Sequence, residues 1–128
     1  DYINRSIKGS RRNPRNSYVL GIQLKLTSQI IGSCEARIKL APKYEAEVGY
    51  IVHPNYWKQG YATEAANGLM DFLINNRKIS RFYATCDILN VASQRVLEKC
   101  GFERIKTIKN HIEIKGRIRD SFLYKYNL

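Results

Sequence analysis

The sequence predicts an α/β (α+β) domain, with strand hairpins at both ends of the chain and a strand–helix–strand–helix run between them. Two observations carry most of this. Apolar residues alternate with period two from Tyr18 and again toward the end of the chain, and they switch to three-and-four spacing after Ala62 and after Val91. A third is punctuation: Pro54, Gly60 and Gly101 stand where each regular pattern stops.

Taken in order, Tyr2, Ile3 and Ile7 at helical spacing make Asp1 to Ser10 the last turns of a helix, and the basic stretch Ser10 to Asn16 with Pro14 is a loop. From Ser17 to Leu26, residues Tyr18, Leu20, Ile22, Leu24 and Leu26 share one face and Gln23 and Lys25 the other, which is a strand. Thr27 to Gln29 interrupts it, and Ile30 to Leu40 completes a hairpin that Pro42 ends. Glu45 to His53 is a third strand stopped by Pro54, followed by a loop, Asn55 to Gly60. The next helix, up to Asn75, has an inner face that is small at its start (Ala62, Ala65, Ala66) and bulky at its end (Leu69, Met70, Phe72, Leu73). Arg81 to Cys86 is a fourth strand, and Val91 to Cys100 a second helix closed by Gly101 as its C-terminal cap. Phe102 to Ile114 and Arg117 to Tyr126 are two strands turning near Lys115-Gly116.

With 128 residues, 44% of them hydrophobic and 26% charged, the expectation is one domain, residues 1–128, around one core. Apolar runs such as Tyr18 to Ile22 fall far short of the roughly 20 residues that cross a bilayer. No charged-then-apolar leader opens the sequence, so a membrane or secreted protein is not expected. Cys34, Cys86 and Cys100 form no C-x-x-C pair, and with only His53 and His111 they give no metal-site spacing. Reduced thiols in the cytoplasm are the simplest reading. The net charge of +11, with Arg5, Lys8, Arg11, Arg12 and Arg15 near the start, favours anionic partners: a phosphate-bearing cofactor, an acidic peptide or nucleic acid. Solvated surface charge explains it equally well. The chain lacks helix-turn-helix spacing, a zinc pair and RNP-like aromatic strands, so nucleic acid is not the expected partner.

The most informative segment is a strand, a proline turn and Gly60-Tyr61-Ala62 opening a helix. Small residues let a ligand approach the backbone, and the N–H groups of a first helical turn attract phosphate with the help of the helix dipole. Lys58 adds a positive charge beside them. A tight turn with close helix packing is the structural alternative. Asn90 is well typed as a helix N-cap, and Ser93 lies three positions on; both also place polar side chains where the fourth strand meets the second helix.

These residues resemble the GNAT superfamily of acetyl-CoA-dependent N-acetyltransferases, in particular its RimJ/RimL-like, ribosomal-protein-acetylating branch. The resemblance rests on Glu47-Val48-Gly49-Tyr50 leading to His53-Pro54, then Tyr56-Trp57-Lys58-Gln59-Gly60-Tyr61-Ala62-Thr63-Glu64-Ala65. After these come Asn90-x-x-Ser93, Glu98-Lys99-Cys100-Gly101-Phe102, and Lys115-Gly116-Arg117-x-Arg119-Asp120-Ser121. It extends from about Ser17 to the end, more weakly before. The resemblance implies a mixed, twisted sheet splayed in the middle and flanked by helices, with acetyl-CoA as co-substrate in the gap and no metal. It also implies that pantetheine pairs with the Glu47 to His53 strand, that the pyrophosphate sits on Lys58, Gln59, Gly60, Tyr61, Ala62 and Thr63, and that Asn90 and Lys99 add contacts to pantetheine and phosphate. Relative to the family the chain lacks the usual first strand and first helix, so it is expected to be amino-terminally truncated, with an uncovered sheet edge open to homodimer pairing.

Acetyl transfer requires a neutral amine, a donor for the carbonyl oxygen and a proton for the departing thiolate. The implied roles are Glu47 as base, with surface ion pairing as its alternative, backbone N–H groups near Ile51 and Val52 as oxyanion donors, and Ser93 as acid or as a contact to the sulfur. His53 is the alternative base, against a turn role before Pro54. Two positions depart from the family: Trp57 replaces an Arg or Gln, and Leu97 stands where many members place a Tyr acid. The expected reaction is N-acetylation of a primary amine, most directly a protein N-terminal α-amine. The alternatives are a small-molecule amine, or a non-catalytic acyl-CoA- or nucleic-acid-binding module on the same fold.

Overall fold

Period-two patterning becomes strands and three-and-four patterning becomes helices almost residue for residue in a computed structural model that describes residues 3–8, 16–39 and 44–128. The strands are β1 (Ile3–Lys8), β2 (Ser17–Leu24), β3 (Ile30–Lys39), β4 (Glu45–Val52), β5 (Arg81–Asp87), β6 (Glu103–Ile114) and β7 (Arg117–Asn127). The helices are α1 (Tyr61–Arg77) and α2 (Val91–Lys99), with a 3₁₀ turn over Pro54–Tyr56. The strands form one sheet in the order β1-β2-β3-β4-β5-β7-β6. Among the described residues the β4–β5 pairing is parallel and the others are antiparallel.

The start of the chain corrects an expectation. Residues read as a helix end form strand β1, antiparallel to β2 from Ile3↔Leu24 to Lys8↔Val19. Tyr2, Ile3 and Ile7 fit a helix, but Ile3, Arg5 and Ile7 also alternate with period two, and in so short a run the neighbouring strand decides. A strand therefore does precede Ser17. The loop expected before Asn16, together with Leu40 and Pro42, lies outside the described residues. β2 also stops earlier than its pattern: the N–H of Ser28 donates to the Leu24 carbonyl at 2.9 Å and Ser28 takes φ 59°, so Leu26 projects from a turn, 97% exposed.

Helix α1 packs on β3 and β4, and α2 on β5 and α1. Between them and the sheet lies one core: Leu20, Ile22, Ala36, Ala46 and Val48 from the sheet meet Ala65, Ala66, Leu69, Met70 and Leu73 of α1, and farther on Phe82, Ala84, Leu97, Phe102 and Tyr124. The alanines bring the first turns of α1 close to the sheet, and the larger residues fill the wider space at its far end. α2 ends as expected: Gly101 at φ 93° donates to the Glu98 carbonyl and buried Phe102 to the Leu97 carbonyl, each at 3.0 Å, a Schellman closure. At the last hairpin Lys115 and Gly116 both have positive φ, as a two-residue type I′ turn requires.

At Gly32 the sheet admits no side chain. A Cβ there would lie 2.1 Å from the Ile51 carbonyl oxygen and 2.9 Å from Val52 Cα, so β3 and β4 would have to part. Gly32→Ala is expected to cost about 3 kcal/mol or more, the upper range of overpacking. The measurement is a lower urea midpoint at unchanged slope; a wild-type midpoint would show that the two strands yield without cost.

Candidate functional site

β4 and β5 pair only over Glu45↔Arg81, Ala46↔Phe82 and Glu47↔Tyr83. Beyond that point β4 stays with β3 as far as Val52, while β5 follows β7 to Asp87, and the sheet opens. The His53 N–H donates to the Ile31 carbonyl of β3 at 2.7 Å. By the alternation of an antiparallel ladder, the backbone groups of Ile51 then also face β3, whereas those of Val48, Tyr50 and Val52 face the opening. A cleft of about 460 Å³ occupies it, lined among others by Glu47, Tyr50 and Ile51 of β4, Thr85 of β5, Ser93 and Leu97 of α2, and His111 and Arg119 of the last hairpin.

Tyr50 lies inside this opening. Its hydroxyl is 2.9 Å from Ser93 Oγ and donates to the Ser93 carbonyl at 3.1 Å. Burial, only partly offset by the Ser93 hydroxyl, pushes the phenol up to about 12, so it keeps its proton at neutral pH. Leu97 of α2 lines the same cleft, and the phenolic hydroxyl there comes from Tyr50 of β4. Tyr50 is the cleft residue that sequence reasoning missed. Its signal was there, because a tyrosine on the inward face of a strand, in step with Ala46, Val48 and Val52, needs a partner for its hydroxyl.

The other end of the opening is the turn into α1. Gly60 is the N-cap at φ 82°, without a side-chain cap, and a Cβ there would meet nothing within 4 Å. Among the described residues the N–H groups of Tyr61, Ala62 and Thr63 are therefore the open donors at the start of a 17-residue helix. Lys58, exposed and at φ 62°, stands at the turn. These features fit an anionic diphosphate. Neighbouring side chains hold the turn: Gln59 Nε2 donates to the Asn55 carbonyl at 3.2 Å, and Tyr56 Oη donates to Gln29 Oε1 at 2.8 Å. Trp57 Nε1 donates to the Val52 carbonyl at 2.6 Å, so the tryptophan ties the turn to the free edge of β4.

The remaining predicted residues divide by place. His53 Nδ1 accepts from the Asn55 N–H at 3.2 Å, which is the turn role. Asn90 Oδ1 accepts from the Ser93 N–H at 3.0 Å, the N-cap role, and fixes the start of α2 beside Tyr50. Lys99 is exposed in the last turn of α2, next to Cys100, whose sulfur packs 3.9 Å from the Thr63 carbonyl at the start of α1. Glu47 lies on the cleft wall and is paired with Arg37 at 2.6 Å, directly across the β3–β4 ladder. The Ile51 side chain is exposed on that same wall. Cys86 and Cys100 are buried free thiols that burial shifts upward, Cys100 to about 11, so they act as small apolar side chains and not as nucleophiles.

Comparison with known proteins agrees with this geometry. Residues 1–103 match the family described as "Acetyltransferase (GNAT) domain", so the match begins before Ser17 and includes β1. The uncharacterized N-acetyltransferase p20 of Bacillus licheniformis is 27% identical over 103 residues, which are 80% of this chain and 58% of that protein. The chain thus spans less than two thirds of that relative's length. Ribosomal-protein-S5-alanine acetyltransferase from Vibrio fischeri superposes with TM-score 0.83 at 24% identity, covering 88% of this chain and 62% of its own. Microcin C7 self-immunity acetyltransferase MccE, solved with acetyl-CoA and AMP, gives TM-score 0.80 at 25% identity, covering 88% and 62%. Among the described residues no helix is long and apolar enough to cross a membrane. By its matched residues and its splayed sheet, the chain belongs to the GNAT acetyltransferase family.

Proposed function

We propose that the chain transfers an acetyl group from acetyl-CoA to a primary amine held in the β4–β5 cleft. The observation that carries this is the end of strand pairing at Glu47↔Tyr83, which leaves the edge of β4 free between the uncapped start of α1 and the Tyr50–Ser93 pair. Acetyl-CoA supplies the activated thioester. Tyr61, Ala62 and Thr63 N–H groups with Lys58 would hold its diphosphate, with Gln59 and Gly60 shaping the turn and Lys99 nearby. The free edge of β4, with Asn90 beside it, would hold the pantetheine. Val52 N–H, on that edge, offers a donor to an oxygen that gains charge. Glu47 on the cleft wall is the base that takes the amine proton, directly or through water. Tyr50, still protonated at neutral pH and coupled to Ser93, is the proton source for a departing thiolate. A protein N-terminal α-amine is the proposed acceptor, in the cytoplasm, where the three buried thiols stay reduced.

Calorimetric titration with acetyl-CoA and, in parallel, adenosine diphosphate at two salt concentrations tests the reading. The +11 charge attracts both ligands, the 3′-phosphate of acetyl-CoA adding to its share, so a preference for acetyl-CoA that persists at the higher salt concentration isolates the cleft. Micromolar binding of acetyl-CoA, well above that of the nucleotide, is expected. A folded chain that binds neither would overturn the proposal.

A further inference from the structure

The β6–β7 hairpin is interrupted where it meets the cleft. Its register runs Ile108↔Ser121 and then Ile112↔Arg119, so Lys109, Asn110 and His111 together stand opposite Asp120 alone. Asn110 takes φ 51°, and its N–H donates to Asp120 Oδ1 at 2.9 Å while Lys109 Nζ lies 3.9 Å from the same carboxylate. Such a bulge re-aims a side chain, and here it brings His111, half-buried, to the cleft wall.

The hydrogen bonds behind His111 have a direction. Ser121 is fully buried, and its Oγ lies 2.8 Å from Arg119 Nε and 2.9 Å from His111 Nδ1. A guanidinium can only donate, so Ser121 Oγ accepts from Arg119; the oxygen could accept a second bond, but its own hydrogen is buried and has His111 Nδ1 as its one acceptor among the described residues, which assigns that hydrogen to Nδ1. Arg119 is held in turn by donating to Thr85 Oγ1 at 3.2 Å. With Nδ1 accepting, the neutral ring carries its own hydrogen on Nε2. That atom, on the ring edge away from Ser121, has no hydrogen-bond partner among the described residues, and His111 lines the cleft.

We infer that His111 orients the acceptor, its Nε2–H donating to a carbonyl oxygen adjacent to the reacting amine, and that the fitting acceptor is an aminoacyl group and not an alkyl polyamine. This rests on the acetyl-transfer reading above. An aminoacyl group has a carbonyl one carbon away from its amine, so one hydrogen bond fixes where the nitrogen sits. A polyamine offers no such acceptor. The residue is a positioning residue; the proton of the amine goes elsewhere.

Two measurements decide it. Nitrogen-15 NMR of the imidazole is expected to show His111 with Nδ1 bare and the proton on Nε2, a preference lost in Ser121→Ala. Kinetics with L-alaninamide and with sec-butylamine, the same skeleton without the carbonyl, should then split. His111→Leu is expected to raise the KM for alaninamide about tenfold, the worth of one hydrogen bond. It should leave sec-butylamine and acetyl-CoA affinity unchanged, and His111→Gln, which restores an N–H donor, should recover most of the loss. An Nδ1–H tautomer, or equal losses with both amines, would overturn the inference. If the chain binds no acetyl-CoA, the transfer reading fails by itself. The tautomer, and NMR titration of wild type and His111→Leu with the same two amines, still decide the role of His111.

Discussion

Replacing Ala62 by glutamate is expected to abolish coenzyme binding, with at least a hundredfold loss of acetyl-CoA affinity, while the fold persists. Ala62 is the second residue of α1, where among the described residues no side chain caps the helix and the first N–H groups have no intrahelical partner. A carboxylate there occupies the donors that a diphosphate would use and repels its charge. The same carboxylate is favourable for the helix by about 0.3 to 1 kcal/mol, because the N-terminal end of the macrodipole is positive. Ala62 is only half-buried, so the longer side chain can turn outward with little loss of packing. Binding and stability should therefore move in opposite directions or stability stay level, which separates a blocked site from an unfolded one. Calorimetry with acetyl-CoA beside a thermal melt reads both, and retained affinity would place the diphosphate in another loop.

Much of this site could be read from the chain because the residues that build it are those whose backbone chemistry is local. Pro54 ends β4, Gly60 reaches φ 82° at no steric cost, and the alanines after it allow close packing, so strand, turn and helix start were legible together. The Asn90 cap was legible for the same reason: Oδ1 and the N–H of Ser93 are three residues apart. What escaped depends on distant partners. The β1 segment fits two periodicities, and its antiparallel partner β2 settles which one forms. Tyr50 meets Ser93 only after α2 has folded back across the opening, 43 residues along the chain. The bulge that brings His111 to Ser121 is a mismatch of register between two strands that both look regular on their own. Trp57 read as a loss against the family pattern, yet its indole anchors the turn to the Val52 carbonyl.

Glu47→Gln is expected to lower turnover by a factor of about 100 or more, the usual contribution of a general base, while acetyl-CoA affinity stays near wild type. Glutamine keeps the length of the side chain and can still accept a hydrogen bond from Arg37, but it cannot take a proton from an amine. The lost ion pair itself explains little. With Arg37 and Glu47 side chains 71% and 43% exposed, it belongs to the class of surface pairs worth about 0 to 1 kcal/mol. The decisive control is Arg37→Met, which removes the same ion pair and leaves the carboxylate. If Glu47 serves only as the cross-strand partner of Arg37, the two variants should behave alike, with small and equal changes. If Glu47 accepts the amine proton, Arg37→Met keeps most of the turnover and Glu47→Gln does not. Steady-state rates at saturating acetyl-CoA, with the thiol product trapped as it forms, distinguish these outcomes, and unchanged turnover in Glu47→Gln would remove this carboxylate from the chemistry.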